Sequence, residues 1–346
     1  MFQKLLLITL LLSVNACSNF AYYLQSMQGQ WDVIQRRESI QALLEKNDIP
    51  TDTKAVLRRA LAIRDFASRE LGLPDNGSFR SYANLERPYV VWNVFAAPAL
   101  SLKPKQWCFL FAGCVSYRGY FTKEDAVQYG NELQAQGWDV FIAGIRAYST
   151  LGWFDDPLLN TVTHYDEIAL AALIFHEMAH QVVYVEDDTS FNESFAKTVE
   201  QVGVKRWMER KQNSAHYQKY LKRQQHSKEF IALVMKYRQK LKTVYDSPLY
   251  DDKKLEAKRR IFSELQKEYQ ALKQRWNNSK RYDRWFARDM NNAKLNSVGA
   301  YHEYVPGFKQ MLARKDNTLE SFYTAVKTLS RRPASERRQL LMQNNQ

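Results

Sequence analysis

Apolar positions recur along this chain in a few distinct rhythms. In 19–73, Tyr23, Met27, Trp31 and Ile34 are spaced four, four and three residues apart, the stripe of a helix. Ser39 and Thr51 can cap helices here, Pro50 marks a boundary, and 56–71 carries Leu57, Leu61, Ile63, Phe66 and Leu71 on a further helix. A Leu-Pro-Asp-Asn-Gly turn at 73–77 closes the helical region. Runs rich in Val, Ile, Phe and Trp follow at 89–95, 107–115 and 138–145 and read as strands. Between the last two, 123–136 reads as a helix, with Thr122 as N-cap and Gly137 past its end. Residues 168–175 are apolar nearly all round, as in a helix buried in a core. The later chain changes character. Phe230, Val234, Tyr237, Leu241 and Val244 form one seam within 214–245, and Phe262, Leu265, Tyr269, Leu272 and Trp276 form a matching seam within 252–276. Asp246-Ser247-Pro248 separates them, so the pair reads as an antiparallel helical hairpin. The pattern predicts an α+β fold, mainly helical, with a small sheet and a long helical hairpin inserted in it.

Chemistry concentrates just after the apolar helix. HExxH places His176 and His180 one turn apart on one helical face, where both imidazoles can reach one metal ion. Glu177 sits beside that face and can take a proton from an attacking water. A third ligand is expected from an acid on a following helix. Glu193 is the candidate, in a run for which Asn192 or Ser190 would serve as N-cap. Two His and one Glu make an open zinc site. Glu200, two turns on, can accept from a ligand histidine and orient it, with Glu167 as the weaker candidate. The bland alternative is a pair of structural histidines; the short acidic connection at 185–189 and the second helix that follows favour the metal site.

NExxA after HExxH resembles the gluzincin arrangement of zinc peptidases. The segments 175–207 (FHEMAHQVVYVEDDTSFNESFAKTVEQVGVKRW), 89–102, 107–121, 147–159 and 291–308 (NNAKLNSVGAYHEYVPGF) resemble a family of Gram-negative bacterial lipoproteins classed as zinc aminopeptidases. The resemblance implies a zincin-like fold, Zn²⁺ on His176, His180 and Glu193, Glu177 as the base, and a peptide substrate. It places 291–308 near the active site, where Tyr301, with His302 second, is the expected oxyanion donor; the other reading makes Tyr301, His302 and Tyr304 packing residues. The GAMEN sequence by which one aminopeptidase branch holds the substrate amine is absent. An aminopeptidase is therefore expected first. An endopeptidase of unfolded envelope proteins and a non-catalytic, zinc-bearing tethering lipoprotein are the alternatives.

The N-terminus adds a location. Lys4 and the apolar run 5–12 make a secretory signal too short to span a bilayer. Val14-Asn15-Ala16-Cys17 looks like a lipobox, with cleavage before Cys17 and lipid on its thiol; Ser18 is not the aspartate linked to inner-membrane retention. The expected location is the periplasmic side of the outer membrane, anchored through Cys17. The other two cysteines, Cys108 and Cys114, are either a disulfide, which an oxidising compartment permits, or two buried thiols. The expected divisions are 1–16 signal, 17–73 N-terminal helices, 74–207 sheet and zinc helices, 208–290 hairpin, and 291–346 a C-terminal segment completing the site.

Charge and two loops complete the picture. Over 205–290, 24 Lys and Arg face 10 Asp and Glu, a balance of +14 against +13 for the whole chain. The hairpin is read as a solvated arm or a face for anionic lipid headgroups. Nucleic acid is not expected, since no binding motif is present. Residues 146–156 form either a substrate-facing lip, with Tyr148, Ser149 and Thr150 as polar groups and Trp153 and Phe154 as an apolar wall, or a turn packed under the helix. Asp155 or Asp156 could receive a free α-amino group.

Overall fold

The computed structural model describes residues 21–109, 113–298, 303–316 and 318–342. The signal, Cys17, Tyr301 and His302 lie outside them.

Helix α1 spans 21–35; of its predicted stripe, Met27 is 68% and Trp31 59% exposed and Tyr23 and Ile34 are half-buried, while Gly29 and Val33 are buried. The 19–73 region is also not all helix. A short strand β1 (Arg37–Ser39) precedes α2 (Ile40–Glu45) and α3 (Thr51–Leu71). β1 forms because its partners are distant in sequence. It pairs with β2 (Ser81–Ala83), which pairs in parallel with β8 (Leu158–Leu159). Such non-local pairing leaves no periodic trace in a three-residue strand. Ser39 holds the N-cap position of α2 without a side-chain hydrogen bond, while Thr51 is already the first residue of α3, whose N-cap is Pro50.

The second sheet has the order β6 (Arg118–Tyr120), β3 (Val91–Pro98), β7 (Trp138–Ile145), all antiparallel. Helix α4 (Lys123–Ala135) packs on it; Thr122 accepts from the Asp125 amide, and Gly137 takes φ +84° just past the end. The run 107–115 is not one strand. β4 (Trp107–Phe109) and β5 (Gly113–Val115) pair antiparallel, with Cys108 opposite Cys114, and a disulfide joins them.

The centre of the molecule is the packing of α5 (Glu167–Ala179) on α6 (Thr189–Arg210), with α3 against both. Ile168, Leu170, Ala171, Ile174, Phe175 and Met178 of α5 are all buried. Gly203 of α6 permits this approach: a Cβ there would lie 2.7 Å from Leu71 and Phe175 side-chain carbons. α7 (Ser214–Tyr245) and α8 (Asp251–Arg275) form the hairpin, with Phe230, Val234, Tyr237 and Leu241 buried against Phe262, Leu265, Tyr269 and Leu272. The opposite faces carry exposed pairs such as Lys236–Glu268 and Lys240–Glu264. Short helices α9 (Asp283–Phe286) and α10 (Asn292–Asn296) return the chain to the sheet, where α10 packs on β3 and β7. Helices α11 (Val305–Ala313), α12 (Leu319–Ser330) and α13 (Ala334–Met342) close over α6. The architecture is mainly helical α+β. Among the described residues no helix is long and apolar enough to cross a membrane.

Candidate metal centre and its cleft

α5 ends at the site. Asp166 caps its start by accepting from the Ala169 amide, and His180 is the residue just past its last turn. α6 begins at Thr189, capped by Asp188, whose carboxylate accepts from the Phe191 amide. This corrects the expected caps at Asn192 and Ser190. Asn192 is already inside the helix and buried, and its amide brackets the Val185 backbone at 2.8 and 2.7 Å. That pair of hydrogen bonds folds the connection between α5 and α6 back onto α6. It thereby turns Glu193, the next residue, toward α5.

The result is a compact donor set. His176 Nε2 lies 3.2 Å and His180 Nε2 3.6 Å from the Glu193 carboxylate, and the two Nε2 atoms lie 3.3 Å apart. Among the described residues these three alone offer ligand atoms that all lie within 4.8 Å of one another. Two borderline nitrogens and one carboxylate oxygen converging on a point suit Zn²⁺. His180 Nδ1 is buried without a hydrogen-bond partner.

A buried network stands behind His176. Its Nδ1 lies 3.4 Å from Glu200, which also accepts from Lys197 at 2.6 Å and from the Tyr220 hydroxyl at 3.0 Å. An unpaired buried carboxylate costs several kcal/mol, so these partners are what let Glu200 stay ionised there. Burial pushes the Glu200 carboxyl up, but Lys197 and His176 overcome it and bring it down to about 2. Lys197 shares its helix with Glu200, three residues before it, a spacing visible in the sequence. Tyr220 comes from α7 and left no local signal. Glu167 takes no part: it accepts from Trp207 Nε1 at the other end of α5.

The remaining titrations follow from the same burial. Burial, reinforced by the nearby Glu193, Asp156 and Glu200 carboxylates, raises Glu177 to about 7, against the opposing pull of His176. Burial alone would lower His176, but its bonds to Glu193 and Glu200 raise it to about 10. His180 falls to about 4, through burial and then repulsion from His176. A carboxyl near neutrality is poised both to take and to return a proton.

The site opens into a cleft of ≈ 580 Å³. His176, Glu177, His180 and Glu193 line it; the residues flanking β6 (Tyr117, Phe121), the disulfide hairpin (Phe109) and α1 (Tyr22, Tyr23) supply its aromatic lining. The 146–156 loop borders the cleft with Ala147, Tyr148, Ser149 and Leu151, while Trp153 points away at 76% exposed. Neither aspartate of this loop lines the cleft. Asp155 accepts from the Gly77 amide, and buried Asp156 accepts from the Thr150 amide, the Thr150 hydroxyl and the Ser149 hydroxyl. Buried Arg64 fixes the adjoining turn by donating to the Pro74, Asn76 and Ser78 carbonyls. Tyr304 is buried, and its amide donates to Ser194 Oγ, so it is a packing residue.

A protein-family model described as "Putative aminopeptidase" matches residues 21–341. No curated protein and no solved structure matches the chain.

Proposed function

Because this chain belongs to the "Putative aminopeptidase" family, we propose that it is a zinc peptidase whose metal is held by His176, His180 and Glu193. The observation that carries the reading is the meeting of those three side chains beside half-buried Glu177, in a cleft wide enough for a short peptide. Zinc, when bound, polarises the scissile carbonyl and makes water a stronger acid. Glu177 accepts the proton of the attacking water and delivers it to the leaving amine. Glu200, held by Lys197 and Tyr220, fixes the His176 ring so that Nε2 faces the metal position. The Tyr301 hydroxyl, or else His302, is assigned to the developing oxyanion on the strength of the family resemblance.

The location belongs to the same proposal. A lipid on Cys17 would tether the protein to the outer membrane with the cleft in the periplasm, where a Cys108–Cys114 disulfide is stable. The substrate class is peptide, and the favoured mode is removal of N-terminal residues.

The test is a peptide library, free and N-acetylated, incubated with the zinc-loaded protein and followed by mass spectrometry. Sequential loss of N-terminal residues from free peptides only is the expected result. Internal cuts in both sets would replace the aminopeptidase by an endopeptidase. No cleavage by a protein that retains zinc would leave a binding or tethering role.

A further inference from the structure

We infer that α1 decides which part of a peptide this cleft accepts: lying along the outer edge of β6, it admits a chain end and turns away a chain that continues past it. The inference rests on the peptidase reading above and deepens it.

β6 is an outer strand of its sheet, and Tyr117, Gly119 and Phe121 border the same cleft as His176 and Glu177. Its inner side pairs with β3, Gly119 opposite Asn93. The carbonyl of Gly119 and the amide of Phe121, two residues apart, are the groups an added extended strand would use on the outer side. Both are taken. Gln25 Nε2 donates to the Gly119 carbonyl at 3.4 Å, and the Phe121 amide donates to Gln25 Oε1 at 3.2 Å. One side-chain amide thus fills the place of one peptide unit of a bound chain.

α1 is fitted closely against that edge. A Cβ at Gly29 would lie 2.0 Å from the Phe121 ring, so only glycine permits the approach. Tyr22 stacks on Phe109 with centroids 5.2 Å apart, and the Arg118 guanidinium lies over the Tyr22 ring at 4.1 Å. Tyr22, Tyr23 and Ser26 then project into the cleft. A peptide lying over Glu177 therefore meets helix rather than open sheet edge beyond Tyr117. It fits if it ends there.

The test compares the wild type with Tyr23→Ala/Gln25→Ala, which frees the Gly119 and Phe121 backbone groups and cuts back the wall beside them, and with Met27→Ala, on the exposed face of the same helix, as control. Melting temperature and zinc content verify that each variant is folded. Free and N-acetylated peptides of increasing length are mapped for cleavage sites. The wild type and Met27→Ala are expected to cut next to one terminus, and the double variant to gain internal cuts in long peptides by about tenfold or more. Internal cuts by the wild type, or unchanged selectivity in the double variant, would overturn the inference. If the wild type hydrolyses nothing, the peptidase reading fails separately, and α1 is read by binding of fluorescent peptides to the zinc-loaded protein. Affinity should then stop rising with peptide length in the wild type and go on rising in the double variant. The same length dependence in both would refute it.

Discussion

Two helix pairs, α5–α6 and α7–α8, are built on opposite principles. The hairpin α7–α8 buries one apolar seam and leaves most of its cations in water, many of them beside carboxylates at the surface, while Lys258 is buried and donates to Asp139. The pair α5–α6 is buried nearly all round, and what it buries includes Asn192, Ser194, Thr198, Glu200 and His180. Each polar group on α6 has a specific partner: Asn192 the Val185 backbone, Ser194 the Tyr304 amide, Thr198 the Ser194 carbonyl, Glu200 the Lys197 ammonium and Tyr220 hydroxyl. One pair is a scaffold that tolerates change on its surface. The other is a polar network in low dielectric, where removing one partner leaves another exposed to the full cost of burial. α7 belongs to both, since Tyr220 near its start serves the network and Phe230 to Leu241 serve the seam.

The comparison breaks most sharply at Glu177. Glu177→Gln is expected to lose roughly a thousandfold in peptide turnover, the size of a general-base contribution, with zinc content unchanged. Turnover by single-substrate kinetics and metal by elemental analysis check the two halves. Next comes the hairpin core: Leu265→Ala should cost about 3 kcal/mol of unfolding free energy in denaturant titration and leave zinc affinity as it was, because the seam does not touch the site.

Glu200→Gln and Tyr220→Phe probe the network. Chelator competition should show zinc affinity falling about 10- to 100-fold for the first and toward the lower end of that range for the second. Equal affinities in all three proteins would reduce Glu200 to packing.

Lys294 supplies a pH test at the seam between hairpin and sheet. It is fully buried, over the Trp285 and Phe141 rings, and donates to the Arg288 carbonyl. Burial first, then Arg288, brings it down to about 8 from 10.5. Between those two values the unfolded chain holds the proton and the folded one has released it, so stability rises with pH across that window. The gain should be on the order of 2 kcal/mol and vanish in Lys294→Met, read from thermal melts across the window. The smallest effect is expected on the exposed face. Lys240→Ala and Glu264→Ala, singly or together, should each change stability by less than about 1 kcal/mol.

The sequence by itself determined whatever repeats along one helix or strand. The seams placed α7 on its observed bounds and α8 within one residue, and Thr122 and Gly137 bounded α4, because capping and amphipathic burial are local. HExxH put His176 and His180 one turn apart for the same reason. Tertiary structure decided what has no period. α6 starts earlier than its polar residues suggest, since Asp188 rather than Asn192 caps it and Asn192 is spent on the Val185 backbone. The stripe Met27 and Trp31 stays in solvent because α1 turns its small residue, Gly29, to Phe121. Strands β1, β2 and β8 are too short to show alternation and exist only through one another. Asp155 and Asp156, free acids on paper, are consumed by the turn that holds their own loop. Tyr220 joins Glu200 from 20 residues away. A buried polar side chain takes much of its role from partners that the fold brings from other elements, and those partners, unlike Lys197 three residues before Glu200, carry no mark in the local sequence.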